Sequence, residues 1–566
     1  MNLSDAPSGL PVDPAALALQ RLYHWERTAP DRIAFTQPMG GGVVKDLTWR
    51  EVGEQARRLA GHLKAQGFAP GSHIALISKN TAWWLISDYA IWMAGHVSVP
   101  LYPTLAAETI RQILTHSEAK LLIVGKLDGF EGMQPGIPAG LPCIATPLSP
   151  PNDYAKWDEV LAAATPVTGE PVRAAEELST IMYTSGTTGM PKGVMHSFGT
   201  FAWSVQSGLA RLTMVDQNTR MLSYLPLAHV AERTLVEHGQ LATGMRVYFA
   251  ESLDTFTHDL QRARPTVFFS VPRLWVKFQQ GVHAKMPPAK LERLLKIPLL
   301  GGIVRRKILT ALGLDQCVFA AGGAAPMPPE LLRFYDRLGL PIVEVYGMTE
   351  NCGVSHSTLV GQPRPGTVGK PYRGIQHRID PANGEIQMKS PGLMLGYYKE
   401  PALSAQAFTD DGWLHTGDKG QLDAEGNLKI TGRVKDLFKT SKGKYVAPAP
   451  IEDRLVMHAS IEACCVTGAN LGQPLGIVML NAEAVTRARN GGRADLEASL
   501  AEHLRSVNAG LDPHEQLDCL VVVTEPWTVD NGVITPTFKV KRNRVEELYA
   551  TSYERWANSR QPVLWA

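Results

Sequence analysis

The stretch over residues 179–194 constrains this chain more tightly than any other. Residues 179–183 form a short apolar run suited to a buried strand. The next ten positions hold the hydroxyls of Thr184, Ser185, Thr187 and Thr188 and the glycines Gly186, Gly189 and Gly193, with no apolar anchor before Met190. Such a segment is a loop at the end of a strand. Its glycines allow backbone conformations closed to other residues and bring amide N–H groups close to an anion. The hydroxyls add donors and Lys192 adds a positive charge, so the segment reads as a grip for phosphate. The Gly-x4-Gly-Lys-Ser/Thr spacing of a P-loop cannot be threaded through it, which points to a different nucleotide chemistry.

At 566 residues the chain exceeds what one hydrophobic core supports, so at least two domains are expected. A net charge of +2 with both signs scattered gives no reason to expect a nucleic-acid partner. The six cysteines include no C-x2-C pair, and Cys464-Cys465 lies in an apolar run that reads as a buried strand, so reduced thiols in a cytoplasmic enzyme are expected. The N-terminus has neither a basic region nor an apolar core, and no secretory signal is read there. The most membrane-like stretch, 83–97, carries Asp88 and falls short of the roughly 20 apolar residues of a span. It reads as a buried helix capped near Asn80. No amphipathic basic helix stands out as a membrane anchor, peripheral membrane contact stays open, and nothing specifies an oligomeric state.

Residues 47–66 have the periodicity of an amphipathic helix, with Thr48 as cap and Glu51 three residues on. Strand-like runs at 73–78, 97–101 and 120–124 alternate with helical ones, which argues for a parallel α/β sheet. Residues 125–170, rich in Pro, Gly and Ala, read as a loop or a crossing between subdomains. Beyond the grip, further runs at 246–249, 266–271, 317–321 and 342–345 each end in a distinctive loop, and ligands gather at the carboxyl ends of strands in open α/β sheets.

Those loops hold the remaining candidates. Gly322-Gly323-Ala324 lets a flat ring or an acyl chain lie against backbone. After the strand near 342–345, Tyr346-Gly347-Met348-Thr349-Glu350 offers an aromatic face, a hydroxyl and a carboxylate hard enough for Mg²⁺. Asp418 follows a glycine and can accept both hydroxyls of a ribose, and the hairpin after it ends in Arg433. Lys435 then opens a segment with four lysines in ten positions.

Taken together, Tyr-Thr-Ser-Gly-Thr-Thr-Gly-Met-Pro-Lys-Gly-Val at 183–194 resembles the signature of the adenylate-forming superfamily of AMP-binding enzymes: acyl-CoA synthetases, firefly-type luciferases and peptide-synthetase adenylation domains. The form Leu-Pro-Leu-Ala-His-Val-Ala-Glu-Arg at 225–233 and the run at 268–275 are similar to the long-chain acyl-CoA synthetases. The resemblance implies an α/β fold with a large multi-subdomain N-terminal domain of layered sheets and helices, residues 1–434. A small mobile α+β C-terminal domain, 435–566, follows, with its hinge at Lys435.

It also implies roles. The grip holds nucleotide phosphates, Gly323 and Ala324 line the adenine site, and Tyr346, Gly347, Thr349, Asp418 and Arg433 bind the nucleotide. Glu350 ligates Mg²⁺ with Thr184 as a second ligand. His229, Gly322 and Gly323 meet the acyl group, and Gly443 lies near the CoA pantetheine tunnel. Lys539, in the loop 531–542, is the catalytic lysine, while Lys541 and Arg542 read as surface charges or nucleotide contacts. Where many members have Pro-x-Glu-Ile-Glu, this chain has Pro448-Ala449-Pro450-Ile451-Glu452, so the first Glu is absent and Glu452 remains.

The implied reaction consumes ATP, CoA and a carboxylic acid. The acid attacks the α-phosphorus to give acyl-AMP and pyrophosphate, and a CoA thiol then displaces AMP. A medium- to long-chain fatty acid is the expected substrate. A hydroxycinnamate-type aryl acid, delivery to a separate carrier protein, and a nucleotide-binding regulator without catalysis are the alternatives.

Overall fold

The computed structural model describes residues 12–184, 190–362, 364–529, 531–535 and 539–566. The local signals at 47–66 act as expected: Thr48 accepts from the Glu51 amide while the Glu51 carboxylate takes the Thr48 amide at 2.7 Å, which starts helix α1 (Trp49–Ala65). The tryptophan-rich run forms α2 (Ala82–Met93), buried along its whole length. Its cap is Thr81, not Asn80. Asn80 is instead drawn away to the Ser223 hydroxyl, the Leu225 carbonyl and Glu232, a buried set of acceptors that a cap could not satisfy at the same time.

An eight-stranded sheet packs against α2. Its strands are β1 (His73–Ile77), β2 (Val97–Leu101), β3 (Leu121–Val124), β4 (Cys143–Ala145), β5 (Ala155–Lys156), β6 (Leu178–Thr184) and β7 (Lys192–Ser197), completed by Gly396–Tyr397. The spatial order runs from Gly396–Tyr397 through β7, β6, β2, β1, β3 and β4 to β5. From β6 to β5 the pairing is parallel, and near-continuous apolar strands such as β1 and β3 fit a sheet covered on both faces. The segment 125–170, read as a loop, supplies β4, β5 and the helix Trp157–Ala163. Strands of two and three residues are too short for a periodic signal.

A second sheet contains β8 (Val267–Ser270), β9 (Phe319–Gly322) and β10 (Ile342–Tyr346) in parallel. A third, antiparallel sheet joins Gln376–Ile379 and Glu385–Lys389 to β11 (Leu414–Leu422) and β12 (Leu428–Arg433). The smaller C-terminal unit has its own core around Val466, Val478, Leu500 and Leu520. There Ile461–Thr467 pairs antiparallel with Leu475–Leu480, and two parallel strands follow. Cys464 and Cys465 are buried in the first of these strands, and all six cysteines are free. No helix among the described residues is long and apolar enough to cross a membrane.

Candidate active site

The two strands that flank the phosphate-grip segment, β6 and β7, pair antiparallel, with Thr184 opposite Lys192. Ser185, Gly186, Thr187, Thr188 and Gly189 lie outside the described residues. Lys192 places its ammonium 5.6 Å from the centre of the Tyr397 ring. Tyr397 in turn donates its hydroxyl to Glu350 Oε1 at 2.9 Å. Burial and the neighbouring Glu350 charge both raise the Tyr397 pKa, so the phenol remains a donor. The strand Gly396–Tyr397 is held beside β7, so the same backbone ladder fixes the grip and the partner of Glu350.

Gly322, Gly323 and Ala324 leave the end of β9. A Cβ on Gly323 would sit 2.9 Å from the Val345 carbonyl oxygen, so backbone proximity alone requires glycine there. Ala324 takes φ +66°, uncommon for a residue with a side chain, and is exposed at the mouth of the loop. From β10, Tyr346 reaches across to the third sheet and donates to Asp418 Oδ2 at 2.6 Å. The other carboxylate oxygen of Asp418 lies 3.0 Å from Arg433 Nε, its cross-strand neighbour in the β11–β12 ladder.

Gly347 lies so close to the Gly353 carbonyl that a Cβ would clash at 2.2 Å. This packing folds Thr349 and Glu350 into a tight turn. His196 Nε2 donates to the Thr349 carbonyl at 2.7 Å, and burial drives the His196 pKa down to about 4, which keeps the ring neutral.

His229 stands at the start of a short helix, its Nδ1 accepting from the Ala231 amide at 3.2 Å. Burial, and then the Lys539 charge, lower its pKa to about 4. The segment carrying it is anchored by Arg233, fully buried, which pairs with Asp88 of α2 at 2.6 Å and with Glu237 at 3.1 Å. Asp88, the charge that interrupted the membrane-like run, thus serves as counter-ion to the last residue of the 225–233 motif.

Lys539 completes the cluster. Its amide donates to Thr535 Oγ1 at 3.0 Å, and its side chain is exposed although protein crowds around it. That crowding, then the Arg433 charge, lower the ammonium pKa, while Asp418 and Glu350 oppose the shift. The loop carrying Lys539 therefore lies near enough to His229, Glu350, Asp418 and Arg433 for their charges to interact. The C-terminal unit also meets the large domain through the Arg273–Glu462 ion pair.

Arg542, expected at the surface or on nucleotide, is instead a clamp within the C-terminal unit. It donates to Glu452 Oε1 at 2.6 Å and to the Val466 carbonyl, and the same Glu452 oxygen accepts the Val466 amide at 2.7 Å. Lys435 is exposed in the turn after β12. Gly443 sits at the tip of the small Phe438–Lys439/Tyr445–Val446 hairpin with φ +76°. Tyr397 and His196 were missed at the sequence level: a Tyr-Tyr pair and a lone His carry no spacing signal, and only the sheet pairing brings them to Glu350 and Thr349.

Among the described residues no three His, Cys, Asp or Glu side chains converge on a possible metal position. The Glu350 carboxylate, with one oxygen held by Tyr397, fits Mg²⁺, which uses one or two protein oxygens together with substrate phosphates.

Residues 22–398 match the family model for AMP-binding enzymes, and 435–558 match its C-terminal domain. The chain belongs to the AMP-binding enzyme family. This AMP-binding enzyme is 31% identical to the long-chain-fatty-acid–CoA ligase FadD15 of Mycobacterium bovis, over 94% of this chain and 96% of that protein. It is 29% identical to the peroxisomal long chain acyl-CoA synthetase 6 of Arabidopsis thaliana, over 90% and 81%. Its fold is shared with the anthranilate CoA ligase AuaEII, solved with anthranoyl-AMP, at TM-score 0.76 and 20% identity over 98% and 100% of the two chains.

Proposed function

We propose that this enzyme is an ATP-dependent acyl-CoA synthetase acting on a medium- to long-chain fatty acid, through an acyl-AMP intermediate. The observation that carries the reading is the approach of Lys539 to Glu350, Asp418, Arg433 and His229, near enough for their charges to interact. Adenylation brings a carboxylate against a polyphosphate, and oriented positive charge at the meeting point offsets their repulsion. Lys539 would bridge the acid and the α-phosphate. Lys192 and the grip would hold the outer phosphates, Asp418 and Arg433 the ribose, and the neutral His229 would border the acyl group. Mg²⁺, when bound, screens phosphate charge, and Glu350 with Thr184 would hold it.

The fatty-acid assignment is supported by the names of the relatives that match nearly end to end. We further assign residues 1–434 and 435–566 as the two domains. The exposed turn at Lys435 serves as the hinge about which the lysine withdraws and Gly443 approaches for thioester formation; such gating sets turnover in many enzymes.

The test is pyrophosphate release from ATP and Mg²⁺ with acids from acetate to oleate and with ferulate, each with and without CoA, alongside Lys539→Ala. Release within one chain-length window, CoA thioester formation and silence in the variant support the reading. A window on ferulate alone would move the substrate to aryl acids, and pyrophosphate without thioester would point to a carrier protein as acceptor. Silence with every acid, together with ATP binding, would leave a regulator.

A further inference from the structure

Between β8 and β9 the chain inserts three helices, α3 (Pro272–Lys285), α4 (Pro288–Lys296) and α5 (Leu300–Leu312). Residues 272–314 carry nine Lys and Arg against one acid, Glu292, although the whole chain nets only +2. Glu292 is already engaged by Arg337 at 2.8 Å. The inner side of α4 and α5 is accounted for: Leu291 is buried, and Leu295, Val304, Ile308 and Leu312 pack on the core beneath.

The outer side is not. Ile297, Leu299, Leu300 and Ile303, within seven residues, are 46%, 89%, 38% and 64% exposed. Lys296, Arg305, Arg306 and Lys307 flank them, all exposed. Leu299 takes φ +66° at the α4–α5 turn, a costly conformation for a bulky side chain, and gains no burial within the chain in return. Beside it, Ile303, Arg306, Lys307 and Thr310 face Gln261 and the Arg264–Asp315 ion pair across an open groove of about 840 Å³. A contiguous apolar patch rimmed by polar residues marks an interaction surface.

We propose that the α4–α5 tip docks on an anionic phospholipid bilayer, with Leu299 and Ile303 entering the headgroup–acyl boundary and Lys296, Arg305, Arg306 and Lys307 meeting lipid phosphates. Leucine and isoleucine flanked by Lys and Arg is the composition of an interfacial membrane element. Charge selects this occupant over a second copy of the chain, because a symmetric contact through this face would press two cationic insertions together. The proposal does not rest on the substrate reading, since docking is measured without ATP or acid.

The full chain is sedimented with vesicles of phosphatidylcholine alone and of phosphatidylcholine mixed with phosphatidylglycerol, at low and high salt. The wild type is expected to pellet with the mixed vesicles at low salt and to be released by high salt. Leu299→Glu with Ile303→Glu should weaken that partition by at least about tenfold, and Arg305→Gln, Arg306→Gln and Lys307→Gln together by about a hundredfold. Unchanged circular dichroism and thermal midpoint establish that these surface variants are folded. Failure of the wild type to pellet, equal binding to both vesicle types, or indifference to both sets of substitutions would overturn the proposal. A concentration-dependent dimer seen by light scattering and lost in the leucine–isoleucine variant, without vesicle binding, would assign the face to a second copy instead.

Discussion

The Tyr397 hydroxyl donates to Glu350 Oε1 across 2.9 Å, joining a two-residue strand beside the grip hairpin to the turn after β10. A carboxylate held on one side by a fixed donor has the direction of its free lone pairs fixed as well. Tyr397→Phe leaves the ring under Lys192 but frees the carboxylate to rotate. Loss of such an outer-shell partner costs about 10- to 100-fold in metal affinity or activity. Titrating pyrophosphate release against Mg²⁺ should show the half-saturating concentration rising by that order in Tyr397→Phe. An unchanged Mg²⁺ curve would make the contact structural only.

Glu452 and Arg542 tie the base of the lysine loop to the C-terminal core. Glu452→Ala leaves the Arg542 guanidinium and the Val466 amide without their shared acceptor. The expected loss in urea unfolding is about 2 kcal/mol, below the roughly 3–5 kcal/mol for a fully buried pair because both side chains keep some solvent contact. Glu452→Gln retains an acceptor and should recover part of it. Adenylation should fall further than stability explains, because Arg542 begins the helix only three residues after Lys539. Equal stability of wild type and Glu452→Ala would remove the clamp from this account.

Glu232 gives a pH dependence with a defined sign. Burial raises its pKa to about 8, against the opposing hydrogen bonds from the Ser223 hydroxyl and the Tyr224 amide. The folded chain therefore holds a proton that the unfolded chain releases above an ordinary carboxyl pKa near 4.5. Its contribution is complete below that value and is lost as pH rises toward about 8, with a slope of up to about 1.4 kcal/mol per pH unit from this one group. Glu232→Gln keeps an acceptor and has no proton to lose, so its urea midpoint should vary less across this window. Parallel curves for the two proteins would mean that Glu232 is charged in the fold.

Much of this fold was legible because strong local signals coincided with burial. The Thr48–Glu51 box, the apolar strands β1, β2 and β3 and the hairpin ending in Arg433 depend on neighbours within a few residues. Asn80 was misread because its acceptors lie more than 140 residues away. Arg542 was misread because a basic residue beside Lys539 and Lys541 looks solvated until the strand carrying Val466 is set against it. The site residues named from motifs, among them Tyr346, Glu350, Asp418, Arg433 and Lys539, do come together. What holds them, Tyr397, His196 and Asp88, is set by sheet order and helix packing, which no spacing rule contains.

Lys539 carries its charge at a cost, set by the crowding of protein around it and then by the neighbouring Arg433 cation. A polyphosphate between them reverses that sign. By reciprocity, whatever affinity the approach of the C-terminal unit adds for the polyphosphate is returned, by the same factor, as preference for that approach. In the proposed cycle, pyrophosphate departure withdraws the most highly charged product and restores the repulsion. The pair of cations then acts as a charge gauge, and in that cycle the cue for the second half-reaction comes from the electrostatics of losing the polyphosphate between them.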